Sequence, residues 1–285
     1  MTDAPRDLPV AGARVLRAVE YARIPGFRPL LLDLHLPAGA QDAPVVLYIH
    51  GGGWRAGSRA AFGPAYTDWT VTPFAALTGA GLAVASVDYR LSGEARYPAQ
   101  LEDVTAALGW LRERGATYGI DPGRVAVWGE SAGGHLAALL ALTTDPGDAP
   151  AAVVDWYGPT DLGALADDSA TSGIAIIDPA ADDSREALLL GAPPRDVPDR
   201  AAAAGPLTHV RPGAPPFLIV HGTADRFVPL VQSRRFADAL AAHGVPVDLR
   251  ALDGADHMWR DDPAAAREAF AVSRDFVLTH LRPAG

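Results

Sequence analysis

Cysteine is absent from all 285 residues. Disulfide scaffolds, thiol nucleophiles, iron–sulfur clusters and cysteine-based zinc sites are excluded together, so a nucleophile has to come from another residue type. Lysine is absent as well: all 24 basic residues are arginine. Apart from the adjacent Arg234 and Arg235 they are scattered singly among 34 acidic residues, for a formal charge of −10, and form no stripe that could neutralise a run of phosphates. Nucleic acid is therefore not an expected partner. Long apolar runs are also missing. The longest candidates, Leu136–Leu142 and Phe217–Val220, fall far short of the roughly 18 apolar residues of a membrane span. The segment Met1–Arg17 mixes charged residues, proline and small residues and has no apolar core of a secretory leader. The sequence reads as a cytoplasmic protein without membrane attachment.

Apolar residues make up 49% of the chain and charged residues 20%, enough to bury a large core. The length is within the range of one large domain, and residues 1–285 are read as such. Strand-length, mostly apolar runs recur at Leu30–Leu36, Val45–Ile49, Leu82–Val87, Val125–Trp128, Ala151–Trp156, Phe217–Val220 and Val247–Leu252, as expected of strands buried on both faces. Between them helices are expected near Thr72–Gly79, Ala99–Arg114, Ala132–Thr143 and Leu230–His243. A last one, at Pro263–Leu281, places Ala266, Phe270, Ser273, Val277 and Leu281 at a 3–4 spacing. The alternation implies an α/β protein with a mainly parallel sheet and helices on both faces. From about Thr160 to Thr208 the rhythm breaks, with Asp167, Asp168, Asp178, Asp182, Asp183 and five prolines and no strand-like run. We read residues 160–208 as an insertion over one end of the sheet, either a cap on a pocket or a solvated loop excursion.

The chemistry concentrates in a few strings. Gly129-Glu130-Ser131-Ala132-Gly133 follows a strand directly and opens a helix. A serine on such a sharp turn sits in a strained backbone with its hydroxyl raised above the sheet. His50-Gly51-Gly52-Gly53-Trp54 follows another buried strand. Its consecutive glycines expose main-chain N–H groups, and Gly52, Gly53 and Ala132 are the expected donors to an oxyanion. A serine hydroxyl also needs a base and a group to orient that base. Seven of the eight histidines lie in the glycine turn, in or beside regular elements, or in the irregular segment. His257, in a loop just past the last strand, is the candidate base. Asp225, directly after the strand at Phe217–Val220, is the candidate acid. Its rival Asp256 adjoins His257 and cannot easily reach the inner ring nitrogen.

The segments His50–Trp54, Asp88-Tyr89-Arg90-Leu91, Pro98–Asp103, Gly129–His135, Tyr157–Asp161, His221–Asp225 and His257 together resemble the α/β-hydrolase superfamily. The resemblance is specifically to bacterial esterases similar to hormone-sensitive lipase and to the neighbouring acetyl/feruloyl esterases and kynurenine formamidases. It runs from about Val15 to Leu281. It implies an α/β-hydrolase fold with a small cap, and a serine carboxylesterase that acts on short-chain acyl or small aryl esters through a Ser131–His257–Asp225 triad and an acyl-enzyme. Neither metal nor organic cofactor is implied, and the expected partner is a small-molecule ester. An arylformamidase-type amidase and a non-catalytic ligand receptor on the same fold remain open, as does a homodimer. Asp88, Arg90 and Asp103 are read as a buried pairing that fixes a loop, and Glu130 as a brace. Trp54, Tyr89, Trp156, Tyr157 and Trp259, all beside motif positions, are expected to wall the substrate pocket.

Overall fold

Runs that are apolar at every position can bury both faces, and the two richest, around Val45–Ile49 and Val125–Trp128, lie side by side near the middle of an eight-stranded sheet. The computed structural model describes residues 12–282. The ends of the expected 1–285 domain, and most of the segment read for a leader, lie outside the described residues. The strands are β1 (Arg14–Ala22), β2 (Leu30–Leu36), β3 (Ala43–Ile49), β4 (Ala83–Val87), β5 (Ile120–Glu130), β6 (Ala152–Trp156), β7 (Phe217–Gly222) and β8 (Val247–Leu252). Their order is β1-β2-β4-β3-β5-β6-β7-β8. From β4 to β8 all pairings are parallel, while β2 runs antiparallel to β1 and to β4.

The helices are α1 (Pro73–Gly79), α2 (Ala99–Arg114), α3 (Ala132–Thr143), α4 (Leu165–Ser172), α5 (Arg185–Leu190), α6 (Pro198–Ala203), α7 (Leu230–Ala242) and α8 (Pro263–His280). The two-residue alternation of the strands sorts side chains into two cores. Val45, Leu47 and Ile49 of β3 face Leu108 of α2, Leu136 of α3 and Phe236 of α7, whereas Val46 and Tyr48 face Phe74 of α1 and Phe270 of α8. Helix α3 is buried from Ala132 to Leu142 because it is apolar all round. Each of its fully buried leucines contributes about 1.5–3 kcal/mol.

This topology places the site. Strand β3 is flanked by β4 on one side and by β5 on the other, so the connections leaving β3 and β5 diverge to opposite faces. The crevice at the carboxyl ends of such a pair is where open α/β sheets bind ligands. The glycine turn follows β3 and the Ser131 turn follows β5.

Two expectations need correction. Strand β1 was not anticipated: it is half exposed and carries Arg14, Arg17 and Glu20, so it has no apolar run to betray it, and its pairing with β2 defines it. Strand β8 exists where expected but is not buried on both faces, because it forms the other edge of the sheet. The irregular 160–208 segment holds α4, α5 and α6, each eight residues or fewer. Among the described residues no helix is long and apolar enough to cross a membrane.

Candidate active site

Ser131 has φ 52° and ψ −119°, a conformation an L-residue adopts only under constraint. The constraint comes from close packing. A Cβ on Gly129 would lie 2.1 Å from the Gly133 carbonyl oxygen, and one on Gly133 would lie 2.0 Å from that of Ile49. Only glycine at both places lets β5 turn this tightly into α3. The Ser131 N–H donates to the Trp156 carbonyl at 2.7 Å, tying the turn to β6.

The Ser131 hydroxyl lies 3.0 Å from Nε2 of His257, and Nδ1 of His257 lies 2.7 Å from Oδ2 of Asp225. With the proton on Nδ1, the imidazole donates to Asp225 and accepts from Ser131. His257 opens a short 3₁₀ turn, its N–H capped at 2.7 Å by the Asp256 carboxylate. Asp256 points away from the imidazole and binds Arg226, whose Nε donates to Oδ2 at 2.6 Å. The structure therefore separates the two candidate acids.

Asp225 is buried, with Oδ1 accepting N–H bonds from Phe227 and Val228, both at 2.8 Å. Nε2 of the buried His221 lies 3.2 Å from Oδ2. Burial opposes the charge, but the attraction of His257 and hydrogen bonds from His221 and His257 outweigh it. They hold the Asp225 carboxyl well below the usual carboxylate range.

The main-chain N–H groups of Gly52, Gly53 and Ala132 meet no protein acceptor among the described residues. That of Ala132 is one of the orphan donors of the first turn of α3. All three residues line the same cleft as Ser131 and His257, which encloses about 510 Å³.

The aromatic wall differs from expectation. Trp54 lines the cleft, its Nε1–H donating to Nδ1 of His135 at 3.2 Å. Buried His135 donates from Nε2 to the Ala204 carbonyl, and burial lowers its pKa to about 4, keeping the ring neutral. Tyr89, Trp156, Tyr157 and Trp259 do not line the cleft. Tyr89 stacks on His50 at 4.4 Å and donates to its carbonyl, supporting the glycine turn. Trp156 lies in the core and donates to Ser273. Tyr157 donates to Glu130, and Trp259 packs edge-on against Trp156 and Tyr157. The physical reason is that these rings are buried among core side chains, where packing outcompetes the cleft. The walls are instead Phe62, Ile177, Arg185, Phe227 and Met258, which come from loops, the start of α5 and the short turn at His257, far apart in the sequence. Phe227 stacks on His257 at 5.1 Å; its place two residues after Asp225 is the one sequence signal that could have pointed to it.

Glu130 behaves as a brace. Its carboxyl accepts from the hydroxyls of Tyr48 and Tyr157, both at 3.1 Å, and burial pushes its pKa up against those bonds. The expected loop pairing is split in two. Arg90 forks onto Asp103 at 2.7 and 2.9 Å, whereas Asp88 accepts from the Arg59 main chain at 2.8 Å and from its guanidinium.

The sheet order, the tight turn carrying Ser131 and the loops that bring His257 and Asp225 to it define an α/β-hydrolase. Residues 32–240 match the BD-FAE family, and the chain belongs to it. It is 33% identical to the esterase LipQ of Mycobacterium tuberculosis over 248 residues, which are 82% of this chain and 55% of LipQ. It is 36% identical to the carboxylesterase NlhH of the same species over 220 residues, which are 75% of this chain and 65% of NlhH. The chain thus spans about half the length of LipQ, and likewise 53% of the esterase LipC. A truncated carbohydrate esterase from gut microbiota is similar in structure, with a TM-score of 0.78 at 27% identity, covering 95% of this chain and 98% of that one. Butyrate-bound Est2 of Thermogutta terrifontis gives a TM-score of 0.73 at 26% identity, covering 96% and 97%.

Proposed function

We propose that the protein is a serine carboxylesterase for short-chain acyl or small aryl esters. The observation that carries the reading is the continuous hydrogen-bonded line from Asp225 through His257 to Ser131, opening into the cleft beside unpaired main-chain donors. His257 takes the Ser131 proton as the oxygen attacks the ester carbonyl carbon, and the developing oxyanion rests on the N–H groups of Gly52, Gly53 and Ala132. Asp225 stabilises the imidazolium. His257 returns the proton to the leaving alcohol, and water then releases the acyl group by the same steps. The naming of LipQ and NlhH as esterases supports this reading.

A fluorophosphonate probe tests the nucleophile. Stoichiometric labelling is expected on the Ser131-containing peptide, and labelling elsewhere, or none, rejects the mechanism. A panel of 4-nitrophenyl esters with N-formylkynurenine tests the substrate class, since turnover of the formamide alone would replace the esterase reading with an amidase one.

Short acyl chains are favoured by the 510 Å³ cleft and by a 160–208 segment whose helices are too short to present an apolar face to lipid. Butyrate- and propionate-bound forms of the similar Est2 point the same way. Each buried CH₂ contributes only about 0.8 kcal/mol, so acetyl and butyryl esters are expected to differ little. Longer chains meet the walls, and kcat/KM is expected to peak at roughly two to six acyl carbons and fall steeply beyond. Activation by an emulsified substrate, or an optimum on long chains, overturns this.

A further inference from the structure

Arg185 is an exception among the described arginines that are withdrawn from solvent. Arg59, Arg90, Arg124, Arg235 and Arg274, each at least partly withdrawn from solvent, bind carboxylates. Arg112 and Arg211, also partly buried, donate to main-chain carbonyls. Arg185 is partly buried too, yet among the described residues its guanidinium has no oxygen acceptor within hydrogen-bond distance. Its contacts are of another kind. The guanidinium carbon lies 5.4 Å over the Phe227 ring, and Phe227 stacks in turn on His257. Its Cδ fills the space above Gly53, 2.3 Å from where a Cβ would be. The side chain is thereby held between the glycine turn and the Phe227 ring, which itself stacks on His257. Ser184 aims it there, its hydroxyl capping α5 by accepting the Ala187 N–H at 3.0 Å.

Stacking occupies one face of a guanidinium and leaves its in-plane donors free. The surroundings do not neutralise it. Arg55 lines the same cleft and likewise has no side-chain acceptor among the described residues. Burial, then repulsion from Arg55, lowers the Arg185 pKa, and the attraction of Glu186 is the weaker influence. Glu186 and Glu130, the other ionisable carboxyls on the cleft wall, are both pushed by burial toward their neutral forms. An uncompensated charge partly removed from water is unfavourable unless something completes it. Among the described residues no acceptor lies within hydrogen-bond distance of either guanidinium, and both arginines open onto the space where the substrate sits.

We propose that Arg185, together with Arg55, forms a subsite for a free carboxylate on the ester substrate, so that the preferred substrates are esters bearing such a group away from the scissile carbonyl. The subsite rests on the esterase reading above and narrows it. A guanidinium fork matches a carboxylate in geometry and charge, and a neutral ester of the same size leaves its donors unpaired.

The test compares charged and neutral esters within each variant. One pair is 4-nitrophenyl hemisuccinate and 4-nitrophenyl methyl succinate, with the carboxylate on the acyl side. The other is 4-acetoxybenzoate and its methyl ester, with the carboxylate on the leaving group. The quantity read is the ratio of kcat/KM, charged over neutral, so a general loss of activity or folding cancels. Arg185→Gln is expected to lower this ratio by roughly 10- to 100-fold in one pair, and Arg55→Gln to lower it less. Arg185→Lys should keep part of it. The pair that responds assigns the carboxylate to the acyl or the alcohol side. A ratio that falls by less than about threefold in both pairs overturns the subsite, since loss of a charge-assisted pair has to exceed that. If the wild-type protein turns over none of these esters, charged or neutral, the esterase reading itself fails.

Discussion

Ser131→Ala is expected to lower kcat by roughly 10³-fold or more, His257→Ala by a similar factor, and the double variant by no more than either alone. The non-additivity follows from the geometry: the hydroxyl and Nε2 are 3.0 Å apart and share one proton, so removing either removes the same step. The Ser131 side chain makes no other hydrogen bond among the described residues. The alanine variant should therefore keep its thermal midpoint within a few degrees of wild type. Its strained backbone is imposed by Gly129 and Gly133, not by the hydroxyl. Initial-rate kinetics on protein free of host esterases, alongside a melting curve, check both statements. Near-wild-type turnover by Ser131→Ala would remove the nucleophile from the proposal.

Asp225→Asn is expected to cost roughly 10³- to 10⁴-fold, because an amide turned toward Nδ1 donates to it and moves the histidine proton to Nε2, where it cannot accept from Ser131. Asp256→Asn should cost less than about tenfold, since that carboxylate serves Arg226 and the His257 main chain in a half-exposed pair. The opposite ranking would reassign the acid. The two variants also separate in their response to acid. The folded-state pKa of Asp225 is depressed, so its ionised form stabilises the fold above the unfolded carboxyl value near pH 4, and that stabilisation is lost as pH falls below it. The difference in unfolding free energy between wild type and Asp225→Asn should accordingly shrink between about pH 5 and pH 3. Because Asp225 stays ionised, its own protonation adds no step to the acidic limb of the rate profile. A second acidic step that vanishes in Asp225→Asn would contradict this.

The class of fold was legible because it is written locally. Strand β3, and β5 over Val125–Trp128, are apolar at every position and can be stable only inside a sheet covered on both faces. Gly129-Glu130-Ser131-Ala132-Gly133 and the three glycines after His50 are backbone requirements, and a requirement on φ, or on the space for a Cβ, leaves a mark at its own position. Ser131, Asp225 and His257 could be singled out on the same ground: each stands at the carboxyl end of a recognisable strand or in the loop just beyond it. Strand β1 could not be found this way, since an edge strand with one face in water needs no apolar run.

The walls of the cleft were decided by tertiary structure alone. Tyr89, Trp156, Tyr157 and Trp259 adjoin the motifs in sequence, but a side chain's direction depends on which neighbours fill the space around it. Here the two cores claim these rings or their hydroxyls find buried partners. Arg185 carries no sequence signal at all. It is one of the chain's 24 arginines and lies in a polar segment, and its place over Gly53 and Phe227 arises only when α5 packs beside the glycine turn and the loop after β7. Strands and tight turns are set by interactions within a few residues, which the sequence displays directly. A pocket wall is set by contacts between residues tens to more than a hundred positions apart, and those exist only once the chain has folded.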